Sequence, residues 1–95
     1  MKTYELEFLA SALKEWKKLA PDIREQFAAK LRERLDHPHV PASRLSGMTS
    51  CYKIKLRGAG YRLVYRVEDH VLTVIVVAVG KRERNHVYKI AAGRI

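Results

Sequence analysis

Between Cys51 and Val79 three strand-like segments follow one another closely. The first two can be paired in only one register that keeps apolar and charged side chains apart. Residues 51–57 (Cys-Tyr-Lys-Ile-Lys-Leu-Arg) and 61–67 (Tyr-Arg-Leu-Val-Tyr-Arg-Val) both alternate with the period of a strand. Gly58-Ala59-Gly60 lies between them. A two-residue loop, Gly58-Ala59, places glycine first, as a type II′ turn prefers. Arg57 then faces Gly60, Leu56 faces Tyr61, Lys55 faces Arg62 and Ile54 faces Leu63. Tyr52, Ile54, Leu56, Tyr61, Leu63 and Tyr65 share one side of this hairpin, and Lys53, Lys55, Arg57, Arg62 and Arg66 share the other. A three-residue loop would set Lys55 beside Leu63 on a mixed face. Register follows the face that can be buried, so the first pairing is expected. Like charges directly opposite each other cost up to about 1 kcal/mol. A row of cations on one sheet face therefore implies an anion that sits there, against the alternative of a solvated edge guarded by Lys and Arg.

The rest of the chain supplies what such a hairpin packs on. Residues 71–79 (Val-Leu-Thr-Val-Ile-Val-Val-Ala-Val) are apolar on both faces, which suits a central strand covered on both sides. Gly80 is expected to break it, and Lys81 to Arg84 to form a charged turn. Thr3 to Phe8 alternates, with Tyr4, Leu6 and Phe8 on one side. Leu9, Leu13, Trp16 and Ala20 recur at helical spacing, with Ser11 or a neighbour near the start. Pro21 and Asp22 open a second helix, whose stripe is Ile23, Phe27, Leu31 and Leu35. Residues 42–50 read as a loop and Asn85 to Ala92 as a short last helix. The expected order is β-α-α-β-β-β-α. It describes one α+β domain over residues 1–95, a mostly antiparallel sheet packed against an N-terminal helical hairpin.

Charge narrows the function. The chain carries 19 Lys+Arg against 10 Asp+Glu, a net of +9. Residues 1–43 hold 8 basic and 7 acidic side chains, whereas residues 44–95 hold 11 basic and 3 acidic. Such a lopsided excess predicts an electropositive face for a polyanion, with nucleic acid the commonest partner. No apolar run reaches membrane-spanning length. Met1 to Glu5 lacks the apolar stretch of a signal peptide. Cys51 is the only cysteine, and an unpaired thiol suits a reducing compartment. A cytoplasmic location is therefore expected. His37 and His39 flank Pro38 but lack Cys or acidic partners at ligand spacing, so neither a metal site nor any other cofactor is expected.

Cys-Tyr-Lys-Ile-Lys-Leu-Arg at 51–57, Gly-Tyr-Arg-Leu-Val-Tyr at 60–65, and Val-Gly-Lys-Arg-Glu-Arg at 79–84 followed by Val87-Tyr88 resemble RelE-type toxins. These are the ribosome-dependent mRNA interferase branch of the RelE/ParE superfamily. Ala12 to Trp16 and Ile23 to Gln26 match too, so the resemblance spans essentially the whole chain. It implies a fold like that of microbial ribonucleases without their usual Glu–His pair. It implies a type II toxin that enters the A site of the 30S subunit and cleaves the mRNA there. The RNA's own 2′-OH attacks, leaving a 2′,3′-cyclic phosphate and a 5′-OH, with no metal. A RelB-like antitoxin would wrap the toxin, and through it the pair would contact operator DNA and repress its own operon.

The same resemblance assigns catalytic roles. Lys53 and Lys55 match the two active-site lysines, and Arg62 the arginine that steadies the scissile phosphate. Arg82 matches the arginine near the leaving 5′-oxygen. Tyr88 matches the tyrosine that takes the 2′-OH proton or stacks on a base. Arg44, Arg57, Arg66, Lys81 and Arg84 are the further expected RNA or ribosome contacts. Ser46 departs from the family pattern, where relatives often carry Arg. The chemistry is coherent: fixed cations stabilise charge on the phosphoryl oxygens, and neighbouring cations lower the pKa of a Lys or Tyr base. Two rivals compete with this reading. One is a gyrase inhibitor of the same superfamily, whose members generally lack the Lys/Lys/Arg/Arg/Tyr set. The other is a non-catalytic RNA-binding module, which needs outward-facing aromatics where the register buries them.

Overall fold

The computed structural model describes residues 3–83 and 85–95. The alternating and helical stretches form strand β1 (Glu5–Phe8), helices α1 (Ala10–Lys17) and α2 (Pro21–Asp36), strands β2 (Cys51–Leu56), β3 (Tyr61–Glu68) and β4 (Thr73–Lys81), and helix α3 (His86–Arg94). The sheet order is β1-β4-β3-β2. β2, β3 and β4 make the expected antiparallel meander. β1 joins the far edge parallel to β4, from Glu5↔Thr73 to Phe8↔Val76. β4 is thus central, as its apolar run requires.

The hairpin register is the expected one: Ile54↔Leu63, Lys55↔Arg62 and Leu56↔Tyr61. The turn differs. Arg57 and Gly60 do not pair; they bound a four-residue loop in which the Gly60 N–H donates to the Leu56 carbonyl at 2.8 Å. The left-handed residue is Gly60, with φ of 72°, rather than Gly58. Either turn preserves the separation of faces, which is why burial cannot choose between them.

Tyr52, Ile54, Leu56, Leu63 and Tyr65 pack with Val67, Val74, Val76 and Val79 against α1 and α2. On α1 the buried positions are not those the spacing suggests. Ala12 is wholly buried while Leu13 is 36% exposed, so the inward stripe runs Leu9, Ala12, Trp16 and Leu19. The helix ends at Lys17, and its N-cap is Leu9 rather than Ser11.

The second face of the sheet has its own apolar layer. Leu45, Cys51, Val64, Val77 and Ala78 are covered by Val87 and Ala91 of α3. A register shift between Val64 and Tyr65 pairs them with Ala78 and Val76, leaving Val77 as an extra residue. This bulge turns both Val77 and Ala78 toward α3. β4 does not stop at Gly80. It continues to Lys81, and it begins at Thr73 rather than Val71 because Asp69–Val71 form a 3-10 turn. A Cβ at Gly80 would lie 3.4 Å from Val87 Cγ2, so α3 sits directly on this strand end.

The segments before β1 and after β3 are tied by a polar cluster. The Tyr4 hydroxyl donates to Asp69 Oδ1 at 2.6 Å, and His39 Nε2 lies 2.7 Å from the same oxygen. His39 Nδ1 meets the Tyr52 hydroxyl at 2.9 Å, so both ring nitrogens are engaged. The Tyr4 hydrogen bond, and then that of His39, hold the Asp69 carboxyl below its ordinary value of 3.8. Its contribution to stability is therefore present above that value and is lost as the pH falls through the lower folded-state pKa. Asp69→Asn is expected to melt below the parent at neutral pH, with the two melting curves converging in acid. A constant offset down to the acid limit of folding would contradict this.

Candidate active site

Three elements converge on one end of the α3-covered face. Lys55 from β2 and Arg62 from β3 are direct cross-strand partners, so their side chains emerge about 5 Å apart at the base. Lys81 and Arg82 follow from the end of β4, where the Arg82 N–H donates to the Gly60 carbonyl at 2.7 Å. That bond carries the main chain past the hairpin tip and brings the run after Gly80 to the Lys55–Arg62 pair. Asn85, left-handed with φ of 62°, reverses the chain into α3. Val87 is buried against the sheet, and Tyr88, the next residue, stands in the opposite wall. Together they enclose a cleft of about 410 Å³ lined by Lys55, Arg62, Lys81, Arg82 and Tyr88, with Glu83, Asn85 and His86.

The electrostatics are those of a cation cluster. The Lys55 ammonium is pushed below its ordinary 10.5, first by Lys53, then by partial desolvation, and then by Arg62, Arg57 and Arg82. Lys53 and Arg57 thus act on the cleft without lining it. Arg62 is steadied by donating to the Tyr61 carbonyl at 3.2 Å. The Tyr88 hydroxyl is buried with no hydrogen-bond partner among the described residues. A buried unsatisfied hydroxyl costs free energy in a structure that has no other use for it.

The remaining expected contacts separate. Arg66 shares the parity of Lys55 and Arg62, but it lies opposite Cys51, beyond the apolar patch that α3 covers. Four residues along β3 place it roughly 13 Å from Arg62, and it is paired with Glu68 at 2.8 Å. Arg44 forms a bridge to Tyr52 and helps frame a separate, more open hollow of about 560 Å³ around Ser46. Arg84 lies outside the described residues. Glu83 and Asn85 are cleft residues that the pattern of the chain did not single out. The only available signal was Asn85, a residue type that tolerates a left-handed backbone, at the start of a helix.

The comparisons agree with this fold. The model of the ParE toxin of the type II toxin–antitoxin system parDE matches residues 6–86. The mRNA interferase toxin RelE of Escherichia coli K12 is 54% identical over 92 residues, covering 97% of each chain. A RelE-like toxin protein of Escherichia coli is 53% identical over 92 residues, with 97% coverage of each. Among solved structures, a free mutant form of E. coli toxin RelE superposes with a TM-score of 0.90 at 52% identity, covering 98% of both chains. A chain of the intact E. coli RelBE toxin–antitoxin complex gives 0.82 at 54% identity, covering 85% of this chain and 99% of that one. With its α+β fold, mixed four-stranded sheet and near full-length identity to these relatives, the chain belongs to the ParE/RelE family of type II toxin–antitoxin toxins, on its RelE-like side.

Proposed function

We propose that this chain is a ribosome-dependent endoribonuclease that cleaves mRNA in the A site of the 30S subunit and so stops translation. The observation that carries the reading is the facing Lys55–Arg62 pair in a cleft whose other wall holds the Tyr88 hydroxyl, unpartnered among the described residues. The 2′-oxygen of the RNA attacks the adjacent phosphorus as the bond to the 5′-oxygen breaks. A 2′,3′-cyclic phosphate and a 5′-OH result. Arg62 meets the phosphoryl oxygens with a planar fork that stays protonated, and Arg82 faces the leaving oxygen. Lys55 in its neutral form, or Tyr88, takes the 2′-OH proton, and the departing 5′-oxygen takes up a proton from water. Fixed guanidinium and ammonium groups supply the positive charge that a divalent cation would supply elsewhere, so the proposed reaction needs no metal. A weak base gains most from imposed geometry, and the ribosome supplies that by holding the codon in line.

The partners follow the relatives. A RelB-like antitoxin neutralises the toxin in the cytoplasm, and the complex represses its own operon through the antitoxin's DNA contacts. Lys53, Lys55, Arg62, Arg82 and Tyr88 form the proposed catalytic set. Arg57, Lys81 and Arg84 are proposed to hold flanking RNA or ribosomal RNA, and Arg44 and Arg66 to make more distant contacts. Two readouts separate this reading from a gyrase inhibitor. Induction followed by pulse-labelling gives loss of protein synthesis rather than signs of DNA damage, and primer extension on translated mRNA gives cuts within codons.

A pH–rate profile tests the base. Because Lys53 is the largest influence lowering Lys55, Lys53→Met raises the pKa of residue 55. If Lys55 is the base, the alkaline inflection of the single-turnover rate on programmed ribosomes moves up and the rate at neutral pH falls. If Tyr88 is the base, Tyr88→Phe loses more of the rate than Lys55→Ala does. Parental rates in both Lys55→Ala and Tyr88→Phe would leave the nuclease reading without a base.

A further inference from the structure

Helix α3 carries Tyr88 to the cleft, yet it has nine residues. Isolated helices that short are not stable in water, so its place must be set by what anchors it. Its inward stripe is Val87, Ala91 and Arg94. The first two are buried on the sheet. The third ends in an ion pair that reaches the other side of the fold in sequence: Arg94 Nη1 and Nη2 donate to Glu15 Oε1 and Oε2, both at 2.9 Å. The same Nη1 donates to the Val77 carbonyl at 2.8 Å, and Glu15 Oε1 accepts the Val79 N–H at 3.2 Å. The last residue of β4 that β1 covers is Val76. Beyond it, the pair takes the place of a missing strand, satisfying the carbonyl of bulge residue Val77 and the N–H of Val79.

We infer that the Glu15–Arg94 pair is a positioning device for the candidate active site, seating α3 so that Tyr88 stands against Lys55 and Arg62. This rests on the nuclease reading above. The pair locks three bodies at once: α1 through Glu15, the bulged end of β4 through its main chain, and the last turn of α3 through Arg94. Val87 on Gly80 is the second point of attachment, 3.4 Å from where a Cβ would be. Two attachments, one at each end, fix the tilt and rotation of a short rod. With the far one cut, α3 pivots on Val87, and Tyr88, the neighbouring residue, swings with it. The cations are carried by β2, β3 and the end of β4, so they stay where they are. Binding and chemistry therefore separate.

The test uses the purified full chain on ribosomes programmed with a defined mRNA. It measures the single-turnover rate at saturation and the ribosome concentration at half-saturation, below the melting range of every variant. Arg94→Ala and Glu15→Gln are expected to lower the rate about 10- to 100-fold, the scale of a misplaced reacting group, while half-saturation stays within about twofold. Arg94→Lys restores only part of the rate, because an ammonium cannot span the carboxylate and the Val77 carbonyl as a fork does. In a Tyr88→Phe background the same substitutions should have almost no further effect, a coupling that general loosening does not produce. Glu15→Gln keeps an acceptor for Val79, and it carries the test should Arg94→Ala fail to fold. Parental rates in Arg94→Ala and Glu15→Gln, or losses that multiply with that of Tyr88→Phe, overturn the inference alone. A parental rate in Tyr88→Phe also overturns this inference, while only parental rates in both Lys55→Ala and Tyr88→Phe overturn the nuclease reading as well.

Discussion

Arg62→Ala is expected to lower the single-turnover rate of mRNA cleavage by about 100- to 1,000-fold, the typical cost of removing one preorganised donor from a developing oxyanion. Folding should not suffer. Arg62 is half-buried, its one side-chain hydrogen bond among the described residues goes to the neighbouring Tyr61 carbonyl, and its direct partner across the ladder is Lys55. Removing one of two like charges set opposite each other relieves up to about 1 kcal/mol of repulsion. The variant should therefore melt at or slightly above the parental temperature while losing nearly all activity. Arg62→Lys keeps the charge without the fork and should recover only part of the rate. Opposite signs for stability and activity are what a cation held in place for an absent anion must give. A rate within threefold of the parent, in a variant that melts normally, would remove Arg62 from the mechanism.

The facing of Lys55 and Arg62 was legible in the chain because a slip of one residue buries a lysine, a cost no turn preference can offset. The turn itself was not legible, since glycine stands at both 58 and 60 and both loop lengths give the same faces. Parity also has a limit: it fixes which side of the sheet a residue faces, not where along the strand it lies. Arg66 was grouped with the cleft cations on parity alone, yet an apolar patch and the ion pair with Glu68 set it apart. The approach of Arg82 and Tyr88 to the hairpin came from family resemblance, because nothing in local periodicity says where a chain returns after its central strand. The Glu15–Arg94 pair, 79 residues apart in sequence, left no local trace at all. On α1, counting leucines favoured Leu13 over Ala12. Ala12 is the residue wholly buried against the core, and Leu13 is turned partly to solvent.

The largest loss of stability is expected from Phe27→Ala, on the helix that packs beside α1. Phe27, at the centre of α2, is wholly buried and is among the largest fully buried side chains. Its ring lies 6.3 Å from that of Trp16, which in turn lies 5.2 Å from Phe8, so one aromatic row joins α2, α1 and β1. Phe27→Ala leaves a hole that rigid neighbours on three elements cannot fill, and such truncations cost about 3–5 kcal/mol. Small domains hold only about 5–15 kcal/mol in total, and each kcal/mol moves the midpoint by roughly 4–8 °C at this size. A drop on the order of 20 °C is expected. Leu13→Ala, on a side chain that the periodicity counts as core, should cost under about 1 kcal/mol because its surface is already partly in water. Ala12→Leu should be the worse of the two α1 changes, since overpacking costs about 1–3 kcal/mol. None of the three touches the cleft, which lies on the opposite face of the sheet. The cleavage rate per folded molecule, measured well below each midpoint, should therefore match the parent. Thermal melts of the three variants in parallel decide the matter: a Leu13→Ala loss equal to that of Phe27→Ala would mean that α1 is rotated from the orientation described, and with it the side of the fold from which Glu15 reaches α3.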